Sequence, residues 1–142
     1  METRSIHLKY GEGEVIFSLP EEQIFCEVVG KDYPAIDDIP GAIRSALERP
    51  IDSPPLRELL RPRDKVAITV SDITRSWQRM DLILPTLFET IAQAGIPDEN
   101  ISILVVVGGH RQNSREEMEQ LCGKEVCRRV NVVNHNARDL EN

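Results

Sequence analysis

Between Lys65 and Arg111 the chain reads as strand, polar loop, helix, strand, polar loop, and that order leaves few folds open. Lys65–Val70 (KVAITV) is rich in β-branched residues. Ile101–Val107 (ISILVVV) is almost continuously apolar, the pattern of a strand buried on both faces of a parallel sheet. Between them Met80, Ile83, Leu84, Leu87, Phe88, Ile91 and Ala94 recur at helical spacing, one apolar face for packing on a sheet. Gly95 and Pro97 then end the helix. Pro85 is expected in its first turn or at a kink, because deeper in a helix it removes a backbone bond and clashes. These elements make a βαβ unit, whose right-handed crossover brings its two strands close together in the sheet. The first strand empties into Ser71–Trp77 (SDITRSW) and the second into Gly108–Arg111 (GGHR). Both loops leave the carboxyl ends of parallel strands, the edge of an open α/β sheet where ligands bind. Asp72, Thr74, Arg75, His110 and Arg111 are therefore expected to converge.

The rest of the chain is placed relative to that unit. Ser5–Tyr10 and Glu14–Leu19 alternate polar and apolar residues around Gly11-Glu12-Gly13, a β-hairpin. The two glycines sit between strands, so they are turn glycines and not the start of a dinucleotide fingerprint. Phe25–Val29 reads as a third strand closed by Gly30. From Tyr33 to Pro62 six prolines punctuate short helices: Pro40 suits a helix start after Asp37 and Asp38, and Leu56–Leu60 adds another short turn. After the second polar loop, Ser114–Glu117 has the form of a capping box, with Met118 and Leu121 facing inward before Gly123. A short helix near Lys124–Arg129 then leads into a third parallel strand, Val130–Val133, whose end delivers Asn134–Asp139. The expected fold class is α/β: a Rossmann-like open sheet of βαβ units in the C-terminal part, with an antiparallel β-hairpin subdomain at the N-terminus. Its parts are an antiparallel segment (1–32), a proline-rich helical connector (33–62) and a βαβαβ core (63–142), together one domain.

Composition removes several function classes. A net charge of −7, from 24 acidic and 17 basic side chains, leaves no clustered Lys/Arg excess of the kind that binds phosphate backbones, so no nucleic-acid partner is expected. No apolar stretch approaches the ~20 residues that span a bilayer, and no leader-like start is visible, which places the protein in the cytoplasm. Cys26, Cys122 and Cys127 are odd in number and show no zinc spacing. They are expected to be reduced thiols, with no metal site in the chain.

At the strand ends each side chain has a plain reading beside a chemical one. Asp72 and Thr74 suit capping of the turn that follows them. Arg75 suits two-pronged binding of a carboxylate or phosphate, or a solvated surface position. Gly108 and Gly109 permit positive φ or a close backbone approach, and an imidazole just beyond them, His110, suits general acid/base work. Arg111 reads as a salt-bridge partner. His135 suits acid/base work less than His110 does, with closing the sheet edge as its plain reading, and His7, on the hairpin, reads as structural or exposed.

Four ordered blocks carry a family resemblance: Ser71–Arg75, Ala94–Ile101, Gly108–Arg111 with Glu116-Glu117, and Val133–Asp139. They resemble the N-terminal part of the nickel-dependent lactate racemases and their 2-hydroxyacid racemase and epimerase relatives. The resemblance implies a small 2-hydroxyacid substrate and a nickel pincer nucleotide, which accepts a hydride from the carbinol carbon while a histidine takes the hydroxyl proton. Return of the hydride to the other face inverts the centre. By motif, His110 resembles one of two catalytic acid/base histidines, Arg75 the residue holding the substrate carboxylate, and Asp72 a polar partner in the same pocket. Thr74, Gly108, Gly109 and His135 fall where cofactor contacts are implied. Two positions depart from the family pattern: Ser76 and Gln112 stand where proline is usual, which points to a reshaped pocket and a larger or more polar 2-hydroxyacid. The sequence ends before the segment that in relatives supplies the second histidine, the cofactor lysine and the nickel-binding histidine. The expectation is an isolated chain that is inactive and that works with a C-terminal portion or a partner chain. The alternative is a non-catalytic module of the same fold, binding a small anion, a nucleotide or a partner protein.

Overall fold

The polar–apolar alternation near the N-terminus closes into a hairpin, β1 (Thr3–Tyr10) and β2 (Gly13–Pro20), paired antiparallel with Leu8 opposite Val15 and Ile6 opposite Phe17. Gly11 takes a φ of 60°, the left-handed conformation that the two-residue turn requires. The computed structural model describes residues 2–138, and the chain divides into two compact units, Met1–Ala35 and Ile36–Asn142. Within the first unit, Arg4 is held by Glu21 and Glu27, its Nε lying 3.1 Å from Glu21 Oε2. The expected strand at Phe25–Val29 does not form. Phe25 and Val28 are 99% and 91% exposed, and the segment makes no ladder with either hairpin strand. Alternation marks a stretch that fits a sheet, but a strand exists only where a second backbone answers its N–H and C=O groups.

The second unit begins with α1 (Ile39–Glu48), capped by Asp38, whose carboxylate accepts the Gly41 N–H at 2.9 Å, with Pro40 in the first turn as expected. One helical turn, α2 (Leu56–Leu59), leads to β3 (Val66–Ser71). Next come α3 (Met80–Gln93), β4 (Ile101–Val106), α4 (Arg115–Cys122), α5 (Lys124–Arg129) and β5 (Asn131–Asn134). The three strands form one parallel sheet in the order β3-β4-β5, with Val66 beside Ile101 and Ser102 beside Asn131. The third strand thus starts one residue later than its apolar run, with Val130 buried just before it.

Leu84, Phe88 and Ile91 of α3, Leu121 and Cys122 of α4 and Val126 of α5 pack with Val70, Ile101, Ile103 and Val105 into one core. One expectation is corrected here, and the place of Pro85 is narrowed to one of its alternatives. β4 alternates, with Ile101, Ile103 and Val105 buried but Ser102 exposed and Val106 42% exposed, because the core helices pack against the side chains of one sheet face only. Pro85 lies in the second turn of α3, because Arg79 adopts a left-handed φ of 54° and the helix starts directly after it. The capping box forms in full: Ser114 Oγ accepts the Glu117 N–H at 3.3 Å, and Glu117 accepts the Ser114 N–H at 2.8 Å. All three cysteines are free thiols, and burial pushes Cys122 up to about 12. No helix among the described residues is long and apolar enough to cross a membrane.

Candidate functional site at the strand carboxyl ends

The polar residues after β3 fold into a short helical turn, Ile73–Gln78, and Asp72 caps it. Asp72 Oδ1 accepts both the Thr74 N–H, at 3.0 Å, and the Thr74 hydroxyl, at 2.5 Å. Its other oxygen lies 2.5 Å from His110 Nδ1. Asp72 thus caps the turn with one oxygen and meets His110 with the other. Its side chain is only 5% exposed, whereas the His110 imidazole is 53% exposed. The Thr74 hydroxyl, most of all, holds the Asp72 carboxyl below the usual carboxylate range; burial opposes this and His110 adds to it. Asp72 is therefore ionised at neutral pH, and His110 donates to it through Nδ1–H, leaving Nε2 directed away from the pair.

His110 sits on a tight turn, its N–H donating to the Val107 carbonyl at 2.9 Å. Gly108 supplies a φ of 55°, and a Cβ built on Gly108 or Gly109 meets nothing within 4 Å. Left-handed backbone, and not close approach, is thus the reason for Gly108. Gly108→Ala is expected to lower stability by about 1–2 kcal/mol, the cost of forcing an L side chain into this region, while Gly109→Ala stays near neutral. Urea denaturation midpoints of the two variants check the contrast; equal losses would refute it.

Two open grooves flank this turn. One, of about 350 Å³, is lined by Asp72, Thr74 and Arg75 together with Gly108, Gly109 and His110. The other, of about 380 Å³, runs from Gly108 and His110 past Arg111 to His135 and Arg138. Arg75 contacts Thr74, with Nη1 3.2 Å from Oγ1, and makes no ion pair among the described residues. Arg111 forms a two-pronged pair with Glu117 at 2.8 and 2.6 Å, which makes it the salt-bridge partner its sequence position suggested. This pairing and the Ser114 N–H hold Glu117 down to about 2. The His135 N–H extends the β4–β5 ladder to the Val105 carbonyl at 2.8 Å, and its Nδ1 is buried without a partner among the described residues. His7 lies in the other unit, beside Glu14 at 3.1 Å. Asp139, at the end of the fourth sequence block, lies outside the described residues.

Sequence reading overlooked Asn113. It is 6% exposed and bridges the loops: Oδ1 accepts the Ile73 N–H at 3.0 Å, and its Nδ2 and backbone N–H donate to Asn134 Oδ1 at 2.9 and 3.0 Å. Asn134 Nδ2 returns a bond to the Asn113 carbonyl at 2.9 Å. The only local signal was an amide residue directly before a capping box.

Comparison with known proteins decides the family. The profile of the lactate racemase N-terminal domain matches residues 10–142. The chain belongs to that family. It is 29% identical over 140 residues to the lactate racemase of Thermoanaerobacterium thermosaccharolyticum, covering 97% of this chain and 32% of that protein. With the lactate racemase of Lactiplantibacillus plantarum it shares 32% identity over 97 residues, 68% of this chain and 22% of that protein. The structure of the lactate racemase apoprotein from Thermoanaerobacterium thermosaccharolyticum matches it with a TM-score of 0.79 at 28% identity, over 98% of this chain and 32% of that one. The mixed α/β architecture, a small antiparallel hairpin and a three-stranded parallel sheet, is that of this relative. The chain spans about a third of the length of these relatives.

Proposed function

We propose that this chain is the N-terminal part of a cytoplasmic racemase that interconverts the stereoisomers of a small 2-hydroxyacid, with His110 moving the hydroxyl proton. The observation that carries the reading is the Asp72–His110 pair beside Arg75: a buried carboxylate grips one ring nitrogen of an exposed imidazole, and a guanidinium with no ion-pair partner among the described residues lines the same groove. Arg75 binds the substrate carboxylate with two parallel N–H donors. The substrate hydroxyl then faces His110 Nε2, which takes its proton, and Asp72 stabilises the imidazolium that forms. Protonation of the returning alkoxide regenerates neutral His110. Ser76 and Gln112 stand where the family pattern has proline, Gln112 in the lining of the neighbouring groove, and the substrate is accordingly a 2-hydroxyacid larger or more polar than lactate.

The family implies a nickel pincer nucleotide, and the described residues match it only in part. Thr74, Gly108, Gly109 and His135 border the grooves where a nucleotide would lie, and the buried Nδ1 of His135 lacks a partner among the described residues. No group of three or more His, Cys, Asp or Glu side chains capable of holding a metal is assembled among them. By the family resemblance the nickel would be held by the C-terminal portion of the enzyme or by a partner chain.

Inversion at carbon needs a hydride carrier and a proton acceptor held in fixed geometry. The isolated chain, mixed with nickel and one enantiomer of a 2-hydroxyacid, is expected to leave the optical composition unchanged on chiral chromatography. Appearance of the opposite enantiomer, abolished by His110→Ala, would overturn this division of labour. In a full-length family member carrying these loops, Arg75→Lys keeps the charge but loses the fork, so KM should rise clearly. Unchanged KM and kcat would remove Arg75 from the site.

A further inference from the structure

We propose that Asn113 and Asn134 form a clamp that positions His110, setting the spacing of the first two strand-end loops and, through it, which imidazole nitrogen carries the proton. The inference rests on the reading of His110 as an acid/base group and adds two positioning residues that never touch the substrate. Ile73, whose N–H Asn113 accepts, directly follows Asp72 in the chain, and Asn113 itself lies three residues beyond His110. The same two loops are thus joined twice, by the Asn113–Ile73 bond and by the Asp72–His110 pair.

The turn bearing His110 has little stiffness of its own. It contains Gly108 and Gly109, and half of the imidazole faces solvent. Its first anchor is the end of β4, and its second is Asn113, pinned by both backbone groups to the amide of Asn134 at the end of β5. Were that second anchor released, the His110 loop could drift from Asp72, whose own position is fixed by Thr74. Nδ1 would then lose its acceptor, and water would compete for both ring nitrogens. Only an amide serves at Asn113, because one planar group must accept from Ile73 and donate to Asn134. An aspartate there keeps the acceptor but sets a carboxylate against Asn134 Oδ1. At Asn134 an aspartate keeps the shared acceptor, loses the bond to the Asn113 carbonyl and turns its second oxygen away from that carbonyl, leaving the Asn113–Ile73 bond in place.

The test reads the His110 tautomer in the ¹⁵N-labelled chain at alkaline pH, using long-range ¹H–¹⁵N correlation of the imidazole ring. The unaltered protein is expected to show His110 protonated at Nδ1. Asn113→Asp should shift it several-fold towards the Nε2–H tautomer, and Asn134→Asp should shift it less, with both variants keeping dispersed amide spectra. If Asn113→Asp does not fold, Asn134→Asp decides. A merely structural clamp would lower the unfolding temperature and leave the tautomer untouched, and that result overturns the proposal. Asp72→Asn separates the two layers of the argument. If the unaltered protein shows no Nδ1–H preference, the reading of the dyad fails and the clamp with it. If Asp72→Asn removes the preference while both Asn variants retain it, the clamp alone fails.

Discussion

In a full-length family member carrying these loops, Asp72→Asn is expected to lower turnover by about 10²–10⁴-fold, the range in which a positioned acid/base group contributes, with little change in KM. The substitution keeps shape and volume, and the hydrogen-bond pattern dictates how the new amide lies. Both the Thr74 N–H and its hydroxyl donate to Oδ1, so the amide oxygen stays on that side and the NH₂ group turns towards His110. An N–H donor facing Nδ1 demands a lone pair there, which moves the proton to Nε2 and removes the base from the substrate side. On the proposed reading Arg75, and not Asp72, grips the substrate carboxylate, so the expected loss falls on turnover. The pH sign follows from the same contacts. Asp72 is held below the ordinary carboxylate range, so its contribution is present above that range and disappears only as the pH falls through the lowered value. Near neutrality the unaltered enzyme therefore draws on a fully ionised Asp72. Steady-state kinetics of Asp72→Asn beside His110→Ala provide the check: turnover equal to that of the unaltered enzyme would show that the pair is structural.

Phe88→Ala is the second large effect, an expected loss of about 3–5 kcal/mol against a total of roughly 5–15 for a domain of ordinary stability. Phe88 is fully buried on α3 in the core against the parallel sheet. The Arg129 guanidinium lies over its ring at 5.4 Å and is itself held by Asp98 through two bonds of 2.8 Å. Truncation thus opens a cavity and removes the surface on which that ion pair rests. Urea denaturation should show a sharply lower midpoint for Phe88→Ala and a smaller shift for Phe88→Leu, which refills most of the volume. A loss below about 1 kcal/mol would mean that the core is not centred on α3.

Local chemistry made much of this architecture legible from sequence. The Asp38 cap with Pro40, the Ser114–Glu117 box, the hairpin turn at Gly11 and the apolar face of α3 depend on residues within a few positions of one another, so their signals are complete in a short window. The meeting of Asp72, Arg75 and His110 at one sheet edge was also within reach, because parallel strands joined by helices must present their carboxyl ends together. Tertiary structure decided everything that needs a distant partner. Phe25–Val29 has the alternation of a strand, yet no described strand pairs with it. β4 has the composition of a doubly buried strand, yet only one of its faces is covered. Asn113 looked like an ordinary loop residue, and its role depends on Ile73 and Asn134, 40 and 21 residues away. The sequence determined which side chains reach the strand ends. Which of them hold one another there was decided by the packing of three loops, because a hydrogen bond requires angstrom-scale placement that no local pattern encodes.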